Sequence, residues 1–261
     1  MRAWSSDRVV WDYVSHAGLS PDEVFSIAEA WGSVRGQVLD IGVGAGRTVP
    51  FLSAFAGEYT AIDYAEGMVA ACRRRYPNIK VERGDARDLD LAADSFSFVM
   101  FSFNGIDYVH PDDRAKVLKE IHRVLKPGGH FAFSSHNLNA MHAQSHGFRI
   151  RWPAKTKNPI RYGVRLVRTA KENLSAFKNY KRLHALEFVR ENIAFVNDGA
   201  HDFACVTCYI DHRKQEQDLR DAGFEDVSII GRDGKPIGSN PGDEWLSYLV
   251  RKPASDRERA T

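Results

Sequence analysis

The sequence predicts an α/β fold, a doubly wound sheet with helices on both faces. Three observations carry this. Across residues 38–135 short apolar runs alternate with helix-period segments, the β-α-β rhythm that folds into parallel strands with right-handed crossovers. Residues 96–103 are almost unbroken in apolar character, as expected of a strand buried on both faces. The first four strands each run into a polar end, at Asp40, Asp63, Asp85 and the Asn104-Gly105 pair. Polar groups therefore recur along the one edge of a parallel sheet where ligands bind. A chain of 261 residues has room for one such domain with an insertion.

The elements follow in order. Residues 1–36 read as an N-terminal helical and aromatic cap, with Trp4, Trp11 and Tyr13 ahead of a helix. Ser20 is suited to cap that helix, Pro21 to open it, and Glu23 to complete a capping box. Val24, Ile27, Ala28 and Trp31 form its expected apolar stripe. Residues 37–136 are the core. Strands are expected from residue 38 and over 58–63, 79–83, 96–103 and 130–135. A helix over 67–75 is stopped by Pro77. A second begins at Pro111, with Asp112 and Asp113 against the positive end of its dipole. Its stripe is Val117, Leu118, Ile121, Val124 and Leu125, and Pro127-Gly128-Gly129 is expected to end it.

Residues 137–210 break the rhythm and read as a basic insertion and hairpin lid. Between positions 149 and 182 stand eleven Lys or Arg and a single acid, Glu172. Phe148, Trp152, Tyr162, Phe177 and Tyr180 are interleaved with them. A hairpin is expected from strands at 187–196 and 203–210 about the turn Asn197-Asp198-Gly199. Residues 211–253 return to the core, with a helix over 213–222 and strands over 226–230 and 245–250. Residues 254–261 are expected to form a charged, disordered tail.

Bulk properties exclude several classes. The net charge is +2, too small to make the whole molecule a polyanion binder. No apolar run approaches the roughly 20 residues of a membrane-crossing helix. The N-terminus lacks the apolar stretch of a secretory signal. Cys72, Cys205 and Cys208 make no disulfide framework, so a reduced, cytoplasmic setting is expected. His201, Cys205, Cys208 and His212 have a spacing that invites a metal. A strand over 203–209 would send Cys205 and Cys208 to opposite faces, so thiols and no metal are expected there.

The segment Val38-Leu39-Asp40-Ile41-Gly42-Val43-Gly44-Ala45-Gly46 carries the most chemistry. A strand runs into an acid, then three glycines alternate, letting a ligand approach the main chain closely. A dinucleotide fingerprint places its third glycine one residue later, as G-x-G-x-x-G. The G-x-G-x-G spacing, with the acid first, points away from NAD and toward S-adenosylmethionine.

These residues resemble the first motif of class I S-adenosylmethionine-dependent methyltransferases of the small-molecule type. The stretch 121–129, Ile-His-Arg-Val-Leu-Lys-Pro-Gly-Gly, is similar to the family's passage from helix to fifth strand, and 225–252 to its closing antiparallel pair. The resemblance implies a Rossmann-like sheet, mostly parallel with an antiparallel last strand, and a lid insertion after the fifth strand. It implies S-adenosylmethionine as cofactor. Asp40, Gly42, Gly44 and Gly46 would pass beside its methionine part. Asp63 would accept both ribose hydroxyls, a bidentate task suited to a carboxylate, with Tyr64 beside it and Met68 against the adenine. Asp85 and the backbone of Ala86 would meet the adenine amino group. Phe101 and Ser102 would border the sulfonium, followed by Phe103, Asn104 and Gly105; aromatic faces accept a cation.

Methyl transfer from a sulfonium needs the acceptor held in line in a dry site, plus a base where the acceptor loses a proton. Candidate bases are His136 and His110, then Tyr13, with Tyr108 and Asp107 behind them. A structural role for His136 stands beside the catalytic one. The expected reaction is methylation of an oxygen or nitrogen of a small acceptor. The basic insertion suits an anionic acceptor, or peripheral contact of 149–182 with an anionic membrane; no nucleic acid partner is expected. A nucleotide-dependent oxidoreductase and a non-catalytic S-adenosylmethionine-binding protein are the alternatives. Acceptor identity and oligomeric state are not encoded legibly.

Overall fold

The computed structural model describes residues 18–141, 147–237 and 242–255. Five parallel strands build the centre of the sheet: β1 (Gln37–Ile41), β2 (Glu58–Asp63), β3 (Lys80–Arg83), β4 (Phe96–Phe101) and β5 (Leu125–Asn137). Their spatial order is β3-β2-β1-β4-β5. The chain steps outward from β1 to β2 and β3, then returns to β4 on the other side. The order therefore reverses between β1 and β4, and a crevice opens at their carboxyl ends. The closing strands β9 (Glu225–Ile230) and β10 (Trp245–Arg251) pair antiparallel with each other, and β10 runs antiparallel along β5.

Helices cover both faces: α1 (Pro21–Glu29), α2 (Trp31–Val34), α3 (Val49–Phe55), α4 (Glu66–Arg75), α5 (Pro111–Val124), α6 (Pro159–Leu183) and α7 (His212–Asp221). On one face Val117, Leu118, Ile121 and Val124 of α5 and Leu219 of α7 pack with Phe131, Phe133 and Tyr248 from the sheet. The other face holds Ile27, Val34, Leu52, Phe98 and Met100.

The hairpin is part of the sheet. Strands β6 (Phe188–Val189), β7 (Ile193–Val196) and β8 (Thr207–Ile210) pair antiparallel in turn. Strand β8 then lies parallel to the tip of β5, with Tyr209 opposite His136. Lower down, β5 has β4 on one side and β10 on the other. His136 still faces Trp245 of β10, so β8 occupies the side left open where β4 stops at Phe101. The hairpin strands of the segment predicted as a lid thus extend the sheet beside the tip of β5.

Other expectations need correction. The buried face of α1 is Asp22, Glu23, Ser26 and Ile27, while Val24 and Trp31 are exposed. The acids turn inward because each has a partner: Ser247 Oγ donates to Asp22, and Arg47 donates to both oxygens of Glu23 at 2.7 and 2.5 Å. Strand β4 ends at Phe101, because Phe103 and Asn104 are left-handed, at φ 54° and 57°. Pro127-Gly128-Gly129 lies inside β5, and α5 ends earlier. The Gly128 N–H donates to Lys252 and the Gly129 carbonyl accepts from it, at 3.0 and 2.9 Å, so pairing continues through the glycines. The predicted strand 187–196 is two strands. The second hairpin strand starts at Thr207, because His201, Asp202 and Phe203 are all left-handed. Cys205 therefore precedes the strand, and strand alternation does not place it. Cys205 and Cys208 are buried, which pushes each thiol up to about 12. No cluster among the described residues has the makeup to hold a metal ion. Trp4, Trp11, Tyr13 and residues 256–261 lie outside the described residues.

Candidate functional site

The strand registers bring the site together. Ile41 is level with Ile62, and Asp40 with Met100. One to two residues on, the glycine loop, Asp63 and Ser102 emerge side by side. Gly42 and Gly46 have φ of +64° and +87°, and a Cβ on either would strike a ring, Phe101 at 2.8 Å and Tyr76 at 2.6 Å. Both positions therefore demand glycine for backbone and packing reasons alone. Phe101 and Ser102 are buried at the end of β4.

Asp63 ends β2 with its carboxylate held in place. Oδ2 accepts from the Gly44 N–H at 2.9 Å and Oδ1 from the Ala65 N–H at 2.8 Å. Burial raises its pKa, and the two backbone bonds oppose that rise. Each oxygen keeps a further acceptor site. Tyr64 beside it is exposed, with Arg83 over its ring at 5.9 Å. Met68 is buried on α4.

Asp40 stands behind the loop. It is fully buried, and Oδ2 accepts from Thr48 and from Tyr59, the latter at 2.7 Å. Oδ1 is buried with no partner among the described residues. Desolvation moves its pKa to about 6. Asp40 thus braces both ends of the loop from within. Asp85 is engaged by Arg87, whose Nη2 lies 2.6 Å from Oδ2. That ion pair holds the carboxylate below its ordinary range, and Arg87 also reaches Asp113 at 3.1 Å. Ala86 beside it packs partly buried against the core.

The second half of the site is a dyad. After β4, a single helical turn at Gly105–Tyr108 carries Asp107, which is fully buried. Asp107 Oδ2 accepts from the His136 backbone N–H at 2.6 Å and lies 2.7 Å from His136 Nδ1. Oδ1 accepts from Ser135 Oγ at 2.5 Å and from Arg114 at 2.9 Å. Burial alone would lower the His136 pKa, but the Asp107 carboxylate prevails and raises it. With Nδ1–H directed at Asp107, Nε2 is the acceptor nitrogen and faces the Asn104 amide at 3.4 Å. Asn104 Oδ1 is buried and unpartnered among the described residues. Asn104 is fixed by its own N–H on Ser134 Oγ at 2.8 Å.

His110 occupies a different position. It caps α5, with Nδ1 accepting from the Asp112 N–H at 3.3 Å, and its ring packs edge-on against Phe195 at 5.1 Å. Three arginines escaped the sequence reading: Arg47, Arg87 and Arg114. Arg47 links α1 to the glycine loop through Glu23, reaches Ser102 Oγ at 3.3 Å and lies 5.1 Å over Phe103. The one available signal was its place directly after Gly46. Arg114 is buried and donates to Gln215 Oε1 at 2.6 Å and the Ile106 carbonyl at 3.2 Å as well as to Asp107. It sits on the helical face expected to be apolar.

Residues 38–129 match the family described as "Methyltransferase domain". A demethylmenaquinone methyltransferase of Chlorobaculum parvum is 35% identical over 94 residues, 36% of this chain and 38% of that protein. A probable S-adenosylmethionine-dependent methyltransferase of Mycolicibacterium smegmatis is 34% identical over 101 residues, 39% of this chain and 38% of that protein. The chain thus spans under half the length of these relatives. Among solved structures, the CcbJ methyltransferase of Streptomyces caelestis superposes with a TM-score of 0.61 at 15% identity, over 97% of this chain and 98% of that one. The 1,6-didemethyltoxoflavin-N1-methyltransferase of Burkholderia thailandensis gives 0.55 at 17% identity, over 97% and 84%.

Proposed function

We propose, from the match of residues 38–129 to a methyltransferase domain, that this chain is a class I S-adenosylmethionine-dependent enzyme that methylates an oxygen or nitrogen of a small acceptor, with His136 as general base. The observation that carries this is the pairing, across one crevice, of a pinned ribose-type carboxylate, Asp63, with the Asp107–His136 dyad. The residues fit the cofactor. Asp63 presents two fixed oxygens for a vicinal diol, and the Gly44 N–H fixes the loop against it. Phe101, Ser102 and Asn104 form the next rim, where a cation would lie. When bound, S-adenosylmethionine supplies an already activated methyl group.

The chain's own work is orientation and proton handling. Asp107 holds the His136 ring with Nε2 outward. Asn104 Oδ1 is an unused buried acceptor beside it, suited to the O–H or N–H of an acceptor. As the acceptor atom gains a methyl group, its proton passes to Nε2, and the imidazolium is stabilised by Asp107. The 137–210 segment, through Tyr209 with its ring tilted 5.0 Å from that of His136, borders the acceptor side, and its basic charge favours an anionic acceptor.

Calorimetric titration with S-adenosylmethionine and NADH, beside methyl release in acceptor mixtures, tests this. Binding of S-adenosylmethionine alone is expected. Asp63→Ala should weaken it by about 1.5–3 kcal/mol. Tighter binding of NADH would overturn the cofactor assignment, and an unchanged dissociation constant in Asp63→Ala the ribose role. Binding with no turnover on any acceptor would favour a non-catalytic S-adenosylmethionine-binding protein.

A further inference from the structure

Helix α6 leaves an apolar face without cover among the described residues. Of its 25 residues only Ala176 is buried. Its C-terminal half is anchored. Phe177 and Tyr180 pack on Phe148 at 5.1 and 6.2 Å, and Asn179 donates to the Asp202 carbonyl at 3.1 Å. The N-terminal half projects from this anchor. Ile160, Val164, Val167 and Leu174 follow one another at helical spacing along a single line, and they are 78%, 65%, 60% and 56% exposed. Trp152, just before the helix, is 79% exposed. A cluster of this kind on a water-facing helix marks an interaction surface.

The charge beside this line selects the partner. Arg161, Arg165 and Arg168 each follow a residue of the apolar line by one position, which rotates them about 100° from it. All three are exposed. The stretch 149–182 holds eleven basic residues and one acid, while the whole chain is only +2. The remainder of the molecule is therefore net acidic, and the basic end would be turned toward a negative surface.

We infer that the projecting face of helix 159–183, led by Trp152, docks on a bilayer surface rich in anionic phospholipid. The aliphatic line enters the headgroup–acyl boundary, Trp152 lies at the interface, and the arginines reach back to phosphates. A second copy docked through the same face is disfavoured because two such basic stretches repel. Nucleic acid would leave the aliphatic line in water. The helix is also joined to the site. It packs on the turn Ala200–Phe203, whose His201 ring lies 6.4 Å from Tyr108, next to Asp107. Docking would therefore set the acceptor side of the crevice near the lipid. This inference does not depend on the cofactor assignment.

The test is co-sedimentation of the full chain with phosphatidylcholine vesicles, with and without phosphatidylglycerol. Binding to the anionic vesicles is expected to be about tenfold or more tighter than to the neutral ones, and to weaken with salt. Val164→Asp with Val167→Asp, and separately Arg161→Glu with Arg165→Glu and Arg168→Glu, should each remove most of it. Both variants should keep the parent's urea midpoint, which separates loss of docking from loss of fold. Vesicles should shift tryptophan emission to the blue in the parent and less in Trp152→Phe. Equal binding to neutral vesicles, absence of binding, or a dimer dissolved by Val164→Asp with Val167→Asp would overturn the inference.

Discussion

Asp40 shows how the glycine loop is held at a cost to stability. Its carboxyl is buried behind the loop on Thr48 and Tyr59, and burial moves its pKa from 3.8 to about 6. A carboxyl whose folded pKa is raised stabilises the fold while protonated and loses that contribution as pH rises through the folded value. The displacement corresponds to roughly 3 kcal/mol, lost between about pH 4 and pH 7. Asp40→Asn should remove this decline. Urea titrations at pH 4.5 and 7.5 should show the variant gaining relative to the parent at the higher pH. A constant difference would mean that Asp40 does not titrate in this window.

His136 has the same sign of shift with a different consequence. Its folded pKa is raised above the ordinary 6.5, so the neutral base accumulates only above that pH. Turnover should rise along a limb centred above pH 6.5, and Asp107→Asn should move that midpoint down. His136→Ala should lower kcat by about 100-fold or more while leaving cofactor affinity near the parent value. Equal turnover would remove His136 as the base.

At the scale of elements, buried charge joins the pieces. Arg114 of α5 ties the Asp107 turn, Ser135 of β5 and Gln215 of α7 into one network. Removing one member of a buried pair leaves the other charge uncompensated, at a cost of about 3–5 kcal/mol. Arg114→Met should therefore lower the urea midpoint with an unchanged slope. It should also displace the His136 pH limb, which loss of packing alone would not do. This network explains what the sequence left illegible. The α5 stripe was readable because Val117, Leu118, Ile121 and Val124 recur at helical spacing. The Arg114 partners were not, because Asp107 and Gln215 lie seven and 101 residues away on other elements. The inward turn of Asp22 and Glu23 was hidden for the same reason, since Ser247 is 225 residues from Asp22. The end of β4 was misplaced because Phe103 continues the apolar run while its backbone is already left-handed.

At the scale of the molecule, the strand-end acids and the glycine spacing were legible because they belong to the sheet's own geometry, in which neighbouring parallel strands end together. The destination of the hairpin was not, since nothing local says that 207–210 pairs with the tip of β5. The same geometry sets a global expectation. A ligand gripped by the loop after β1, the end of β2 and the rim after β4 bridges the halves of the sheet that meet at the switch point, and it can bind only when they are assembled. Its binding energy then appears as folding stability. Saturation with S-adenosylmethionine at 100 times its dissociation constant should add about 2.7 kcal/mol. In a domain of this size that is a rise in Tm of roughly 5–10 °C. NADH should give no rise, and Asp63→Ala should show a smaller one at the same S-adenosylmethionine concentration. A rise of equal size in parent and variant would place the ligand elsewhere than across the switch point.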